Sequence, residues 1–126
     1  MNDNKDYIAE AVDSGSINIS EDVIAAIAAV AVMEVEGVAG MSANLSANVA
    51  ELLGKKSLSK GIKVEKLEEG LKISASVLVK FGVSIPDIAR KIQTNISEAL
   101  KNMTGLDAVS VNVNVTGVAF EPEKQQ

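Results

Sequence analysis

Three sets of side chains in this sequence have the chemistry to act on another molecule: paired carboxylates, a lysine cluster, and a row of amides and hydroxyls. The carboxylate pairs are Glu34 with Glu36 and Glu68 with Glu69. General acid–base work needs such a group set in an apolar pocket. Each of these pairs sits in or beside a turn, so they read as surface charge. The lysines Lys55, Lys56, Lys60 and Lys63 form a cluster able to touch an anionic headgroup, a phosphate or an acidic partner. At about 1 kcal/mol per Lys near an anionic surface they make only a salt-sensitive anchor, and no exposed apolar group accompanies them to insert. A solvated loop is the plainer reading. In the third set, Val109, Val111, Val113 and Val115 alternate with Ser110, Asn112, Asn114 and Thr116. That alternation is a half-buried strand whose open face is polar but uncharged. Open sheet faces normally draw Lys and Glu, so this row is either a contact surface or an ordinary face left neutral.

Absences narrow the chemistry further. The chain has no histidine, cysteine or tryptophan. Without imidazole or thiol there is no neutral-pH base of the usual kind, no Ser-His or Cys-His nucleophile, and no nitrogen or sulfur ligand for zinc. No disulfide framework exists, which allows a reducing compartment without requiring one. No glycine loop of phosphate-binding spacing occurs. The sequence therefore predicts no catalytic, cofactor-binding or metal-binding residues, and a protein that is not an enzyme.

The elements that must position these groups are legible from periodicity. Gly15 to Ile19 alternates as a short strand, and Ser20 stands as the N-cap of a helix from about 21 to 35. Glu21 and Asp22 occupy the first turn, where the helix dipole favours acids. Ile24, Ile27, Ala28, Ala31 and Val35 make its apolar stripe, and Gly37 and Gly40 end it and turn the chain. Leu45, Val49, Leu52 and Leu53 share a face that predicts a short helix within 42–60. A hairpin follows, with Ile62 and Val64 inward on its first strand and a turn at Glu69-Gly70. Its second strand runs from Leu71 to Phe81, with Leu71, Ile73, Ala75, Val77, Val79 and Phe81 inward and Lys72, Ser74, Ser76, Leu78 and Lys80 outward. The last helix opens at Ser84 with Asp87 as an approximate capping box and Pro86 in the first turn. It buries Ile85, Ile88, Ala89, Ile92, Ile96, Ala99, Leu100 and Met103, and stops at Gly105. The predicted fold class is α+β: a two-layer sandwich of a three- to four-stranded, mainly antiparallel sheet with two main helices on one face. Two neutral strands side by side would set Ser74, Ser76, Asn112 and Asn114 on one candidate interaction face.

With 126 residues the chain makes one domain with a real core, expected over 15–120, between a flexible acidic tail at 1–14 and a second tail at 121–126. No repeat or heptad seam appears. Residues 1–14 lack the basic start and apolar stretch of a signal peptide. The apolar run from Val23 to Met33 falls far short of the roughly 20 residues that span a bilayer, so direct membrane insertion is not expected. The net charge of −5 hides two poles: eight acids against Lys5 in residues 1–36, and ten bases against five acids in residues 55–101. Such poles are either solvated faces or sites of head-to-tail contact.

The arrangement of Gly37-Val38-Ala39-Gly40 between one helix and a possible second resembles the phosphate-clamping loop of KH domains, which leaves an RNA- or polyanion-binding module as the alternative function. Glu34 and Glu36 flank that loop and no Lys or Arg lies between residues 6 and 54, so nucleic acid is disfavoured as a partner. Four pieces in order carry a stronger likeness: Gly15-Ser16-Ile17-Asn18-Ile19-Ser20, Glu34-Val35-Glu36-Gly37-Val38-Ala39-Gly40-Met41, Lys60-Gly61-Ile62-Lys63-Val64, and Asn102-Met103-Thr104-Gly105-Leu106. Together they resemble the alkaline-shock protein family of envelope stress response proteins of Gram-positive bacteria. That resemblance implies a non-enzymatic cytoplasmic scaffold that self-assembles as a homo-oligomer or filament. It also implies peripheral attachment at the inner face of the membrane through a separate anchor protein, and supplies no catalytic residues. The order helix, hairpin, helix, strand also resembles ring-building domains of secretion and sporulation assemblies, at the level of fold alone.

Overall fold

A computed structural model of the chain describes residues 7–12, 14–42 and 61–120. Alternation in the N-terminal stretch yields a hairpin: β1 (Tyr7–Val12) pairs antiparallel with β2 (Gly15–Ser20), from Tyr7 opposite Ser20 to Val12 opposite Gly15. Residues 7–12, expected within a tail, are thus a strand, and the buried Ile8 side chain joins the main core. One apolar side chain in contact with that core, together with six paired positions, is what gives this stretch its place.

Ser20 ends β2 and caps α1 (Glu21–Met33), its Oγ accepting the Val23 N–H at 3.2 Å. The helix closes two residues earlier than its stripe predicts, while Ile24, Ala28, Ala31 and Val35 are buried as expected and Ile27 is partly so. Gly37, at φ 105°, turns the chain into β3 (Val38–Met41). Gly40, expected in that turn, lies inside β3 opposite Leu78. The predicted short helix within 42–60 falls almost wholly on 43–60, outside the described residues.

β4 (Ile62–Leu67) and β5 (Gly70–Lys80) form the predicted hairpin, and α2 (Ile85–Thr104) leads to β6 (Ala108–Ala119). β5 is the axis of a four-stranded sheet. Along one edge it pairs antiparallel with β4 over Gly70 to Ala75 and with β3 over Val77 to Val79, so β3 and β4 lie end to end as one interrupted strand. The break falls at Ser76, whose N–H donates to the Gly61 carbonyl and whose carbonyl accepts from Ser42. Along the other edge β5 pairs parallel with β6, as the helical crossover through α2 allows. The sheet is therefore mainly antiparallel, with one parallel pair.

Both helices pack on one face, over Leu71, Ile73, Ala75, Val77 and Val79 of β5, and their buried set is apolar throughout, with Ile92, Ile96 and Leu100 fully enclosed. The α+β two-layer sandwich is as predicted. Details at element ends differ. Phe81, expected inward, lies beyond β5 and is 68% exposed, stacked on Phe120 with ring centroids 4.9 Å apart. Ile85 and Met103, at the two ends of the α2 stripe, are also exposed. The Ser84 side chain makes no capping bond, and Asp87 instead pairs with Arg90 at 3.1 Å. Gly105 closes α2 in the left-handed region, as expected. Val109 leaves the inward row because the register shifts between Ala108 and Ser110, while Val111, Val113 and Val115 keep it.

Candidate functional site

Strand register decides which of the candidate residues meet. Ser74 stands opposite Asn112 and Ser76 opposite Asn114, so four residues chosen from two distant segments form two adjacent cross-strand pairs on the face away from the helices. The serines are half-buried and the asparagines exposed. Lys63 of β4 lies opposite Ser74, which makes Lys63, Ser74 and Asn112 one row across three strands. In the neighbouring row Glu65 approaches Lys72 at 3.9 Å, with Ser110 beyond. The Thr116 hydroxyl donates to Ser42 Oγ at 2.7 Å across the same face, with the Val77 carbonyl 3.3 Å away.

Among the described residues, charge on this face is thus confined to β4 and β5, and β6 contributes only uncharged residues to it, Ser, Asn and Thr among them. Neutral amides and hydroxyls can donate and accept hydrogen bonds without desolvating an ion. The face is chemically suited to contact. Lys55, Lys56 and Lys60 lie outside the described residues, so only Lys63 of that cluster is placed, exposed on β4.

The glycine segment compared with a phosphate-clamping loop has a different form. Gly40 is in a strand, and Gly37 is buried, where an added Cβ would meet Ile88 Cδ1 at 2.5 Å. Its carbonyl accepts the Lys80 N–H at 2.9 Å, so this backbone is spent on the sheet. Among the described residues no buried side chain is polar or charged, and no three acidic groups gather closely enough to hold an ion. No helix among them is long and apolar enough to cross a membrane.

A second surface escaped the periodicity argument. α1 is apolar at every position from Val23 to Met33, yet only part of its circumference meets the core. Val23, Val30 and Met33 remain exposed, and Val30, Ile27, Ala99 and Met103 line an apolar groove of about 390 Å³ between the helices. Asn95 bridges the helices beside it, its Nδ2 donating to the Ala31 carbonyl at 3.1 Å. The available signal was the eleven-residue run without a polar residue, since a helix seated on one sheet normally turns a polar face outward.

Comparison with known proteins gives this architecture a context. The model of the alkaline-shock protein 23 family, described as having a cell envelope-related function, matches residues 9–120. The chain is 39% identical over 112 residues to the uncharacterized protein YqhY of Bacillus subtilis, covering 89% of this chain and 83% of that one. It is 32% identical over 106 residues to the uncharacterized protein YloU of the same organism, covering 82% and 88%. A stress response regulator gls24 homolog of Streptococcus pyogenes is 28% identical over 115 residues, covering 87% of this chain and 64% of its own. No solved structure matches. With its family model extending from the first hairpin through β6, the chain belongs to the alkaline-shock protein 23 family of cell envelope-related proteins.

Proposed function

We propose that this chain is a non-enzymatic structural protein of the envelope stress response, acting by self-association and by binding a partner that anchors it at the inner face of the membrane. The observation that carries the reading is the sheet face built by Ser74, Ser76, Asn112 and Asn114, open to solvent and neutral over all of β6. Family membership and the stress-response name of the Streptococcus pyogenes relative support the setting. Support for protein contact also comes from the exposed Val30 of α1 and Met103 of α2, which line one apolar groove between the helices. The anchoring partner is part of the reading through the family resemblance of the sequence motifs.

Two measurements test it. Sedimentation of the purified protein over a wide concentration range, at about 0.05 and 0.5 M salt, is expected to show reversible association. Fractionation of native cells after crosslinking is expected to recover the protein with membranes, joined to another polypeptide. A protein confined to the soluble fraction and free of a membrane partner overturns the anchored half of the reading.

A further inference from the structure

β6 is a free edge among the described residues, and its composition departs from what such edges usually carry. Exposed edge strands are normally blunted with Lys, Pro or short length, because unpaired N–H and C=O groups invite another strand. β6 is twelve residues long, with no charged residue and no proline between Ala108 and Ala119. Its register shifts fall near the two ends, at Val109 and Thr116, leaving Ser110 to Val115 in regular pairing with β5. Only the Val111 carbonyl is taken by a side chain among the described hydrogen bonds, from Gln93 Nε2 at 3.0 Å.

The stretch Val111-Asn112-Val113-Asn114-Val115 reads the same in both directions. In an antiparallel pair of identical strands related by a twofold axis at Val113, residues whose numbers are equidistant from 113 stand opposite each other. Val111 then faces Val115 of the second copy, Asn112 faces Asn114 of the second copy, and Val113 faces itself. Every side chain meets its like on the same side of the sheet, as the period of two demands. Valine pairs on the helix side extend the apolar layer. Asparagine pairs on the open side can hydrogen-bond in either order, since each amide both donates and accepts. Lys at both 112 and 114, or Glu at both, would instead face its own kind across the pair, where like charges repel.

We propose that β6 is a homotypic interface, pairing antiparallel with β6 of a second copy about Val113 to make one continuous sheet. The inference rests on the self-association reading above and assigns it a strand, a direction and a register. The neutrality of the edge matters for a second reason. Each copy carries a net charge of −5, so two copies approach most easily through a surface free of charge. Pairing also joins the Ser74, Ser76, Asn112 and Asn114 faces of both copies into one platform. Gln93 must share or release the Val111 carbonyl in the process.

Single-cysteine variants read the register, because the chain has no cysteine of its own. Directly opposed antiparallel residues have Cα atoms about 4.5 to 5.5 Å apart, inside the range a disulfide spans, whereas positions two residues out of step are too distant. Under mild oxidation Val113→Cys is expected to give a disulfide-linked dimer. Asn112→Cys and Asn114→Cys are each expected to stay unlinked alone and to cross-link when mixed. A second test leaves the core side of the strand untouched. The double variant Asn112→Lys with Asn114→Lys is expected to associate about tenfold more weakly at low salt, as is Asn112→Glu with Asn114→Glu, and an equal mixture of the two is expected to restore association. Association that ignores both sets of variants overturns this interface and leaves self-association standing. A monomer at every concentration overturns both.

Discussion

Gly37 shows how much one residue holds in this fold. Its φ of 105° lies where a side chain is strained, its carbonyl ties the start of β3 to Lys80, and Ile88 fills the space a Cβ would need. Gly37→Ala is expected to cost about 2 kcal/mol, combining left-handed strain with a forced shift of Ile88, read as a lower urea midpoint at unchanged slope. Ile92 is fully enclosed between α2 and β5. Ile92→Asp would set an unpaired carboxylate there, and loss of more than about 4 kcal/mol is expected, so a normal melting temperature would contradict the packing. Both positions were visible in the sequence, Ile92 from its place in the helical stripe and Gly37 as a helix stop. The neighbour that forbids a side chain at Gly37 was not visible, because Ile88 is 51 positions away along the chain.

At the level of elements, two serines of the same apparent role separate. Ser20 caps α1 through its side chain, and Ser84 holds the corresponding place at α2 without such a bond. Ser20→Ala is therefore expected to destabilise by about 1 kcal/mol, and Ser84→Ala to stay within about 0.5 kcal/mol, compared side by side in thermal melts. The capping-box pattern at Ser84 and Asp87 was a sound local inference, but the Arg90 guanidinium one turn on takes the carboxylate instead. Periodicity located α2 to within its caps, since four buried residues in regular spacing outweigh ambiguity at the ends. It said less about Phe81, Ile85 and Met103, which continue the pattern yet are exposed. The candidate face was legible as two neutral rows, while their apposition needed the β5–β6 register.

For the molecule as a whole, the interrupted edge of the sheet is the informative feature. Ser42 and Gly61 bond to the carbonyl and N–H of the same residue, Ser76, so the chain leaves and re-enters the edge at one point. Replacing residues 43–60 with a short Gly-Ser linker is accordingly expected to preserve cooperative unfolding, since β3 and β4 already lie end to end and a short loop closes at little entropic cost. Loss of a cooperative transition would show that the segment completes the core. Charge distribution makes a separate prediction. If copies meet through β6, raising salt from about 0.05 to 0.5 M screens their mutual repulsion and strengthens association, whereas contact between acidic and basic poles would weaken. The sign of the salt effect in sedimentation separates the two.

What the sequence by itself determined is local: the helices, the β4–β5 hairpin and the alternation of β6 follow from side-chain period and turn chemistry within a few residues. It also excluded imidazole and thiol chemistry, since the chain has no histidine or cysteine. Family membership was legible too, in short ordered motifs. Only the tertiary structure decided that β1 joins the domain, that β3 and β4 share one edge, that β6 lies parallel to β5, and that no other described strand pairs with β6. Those outcomes depend on hydrogen bonds between strands, which any backbone can make; side chains bias the choice, and it is settled only when the whole sheet assembles beneath its helices.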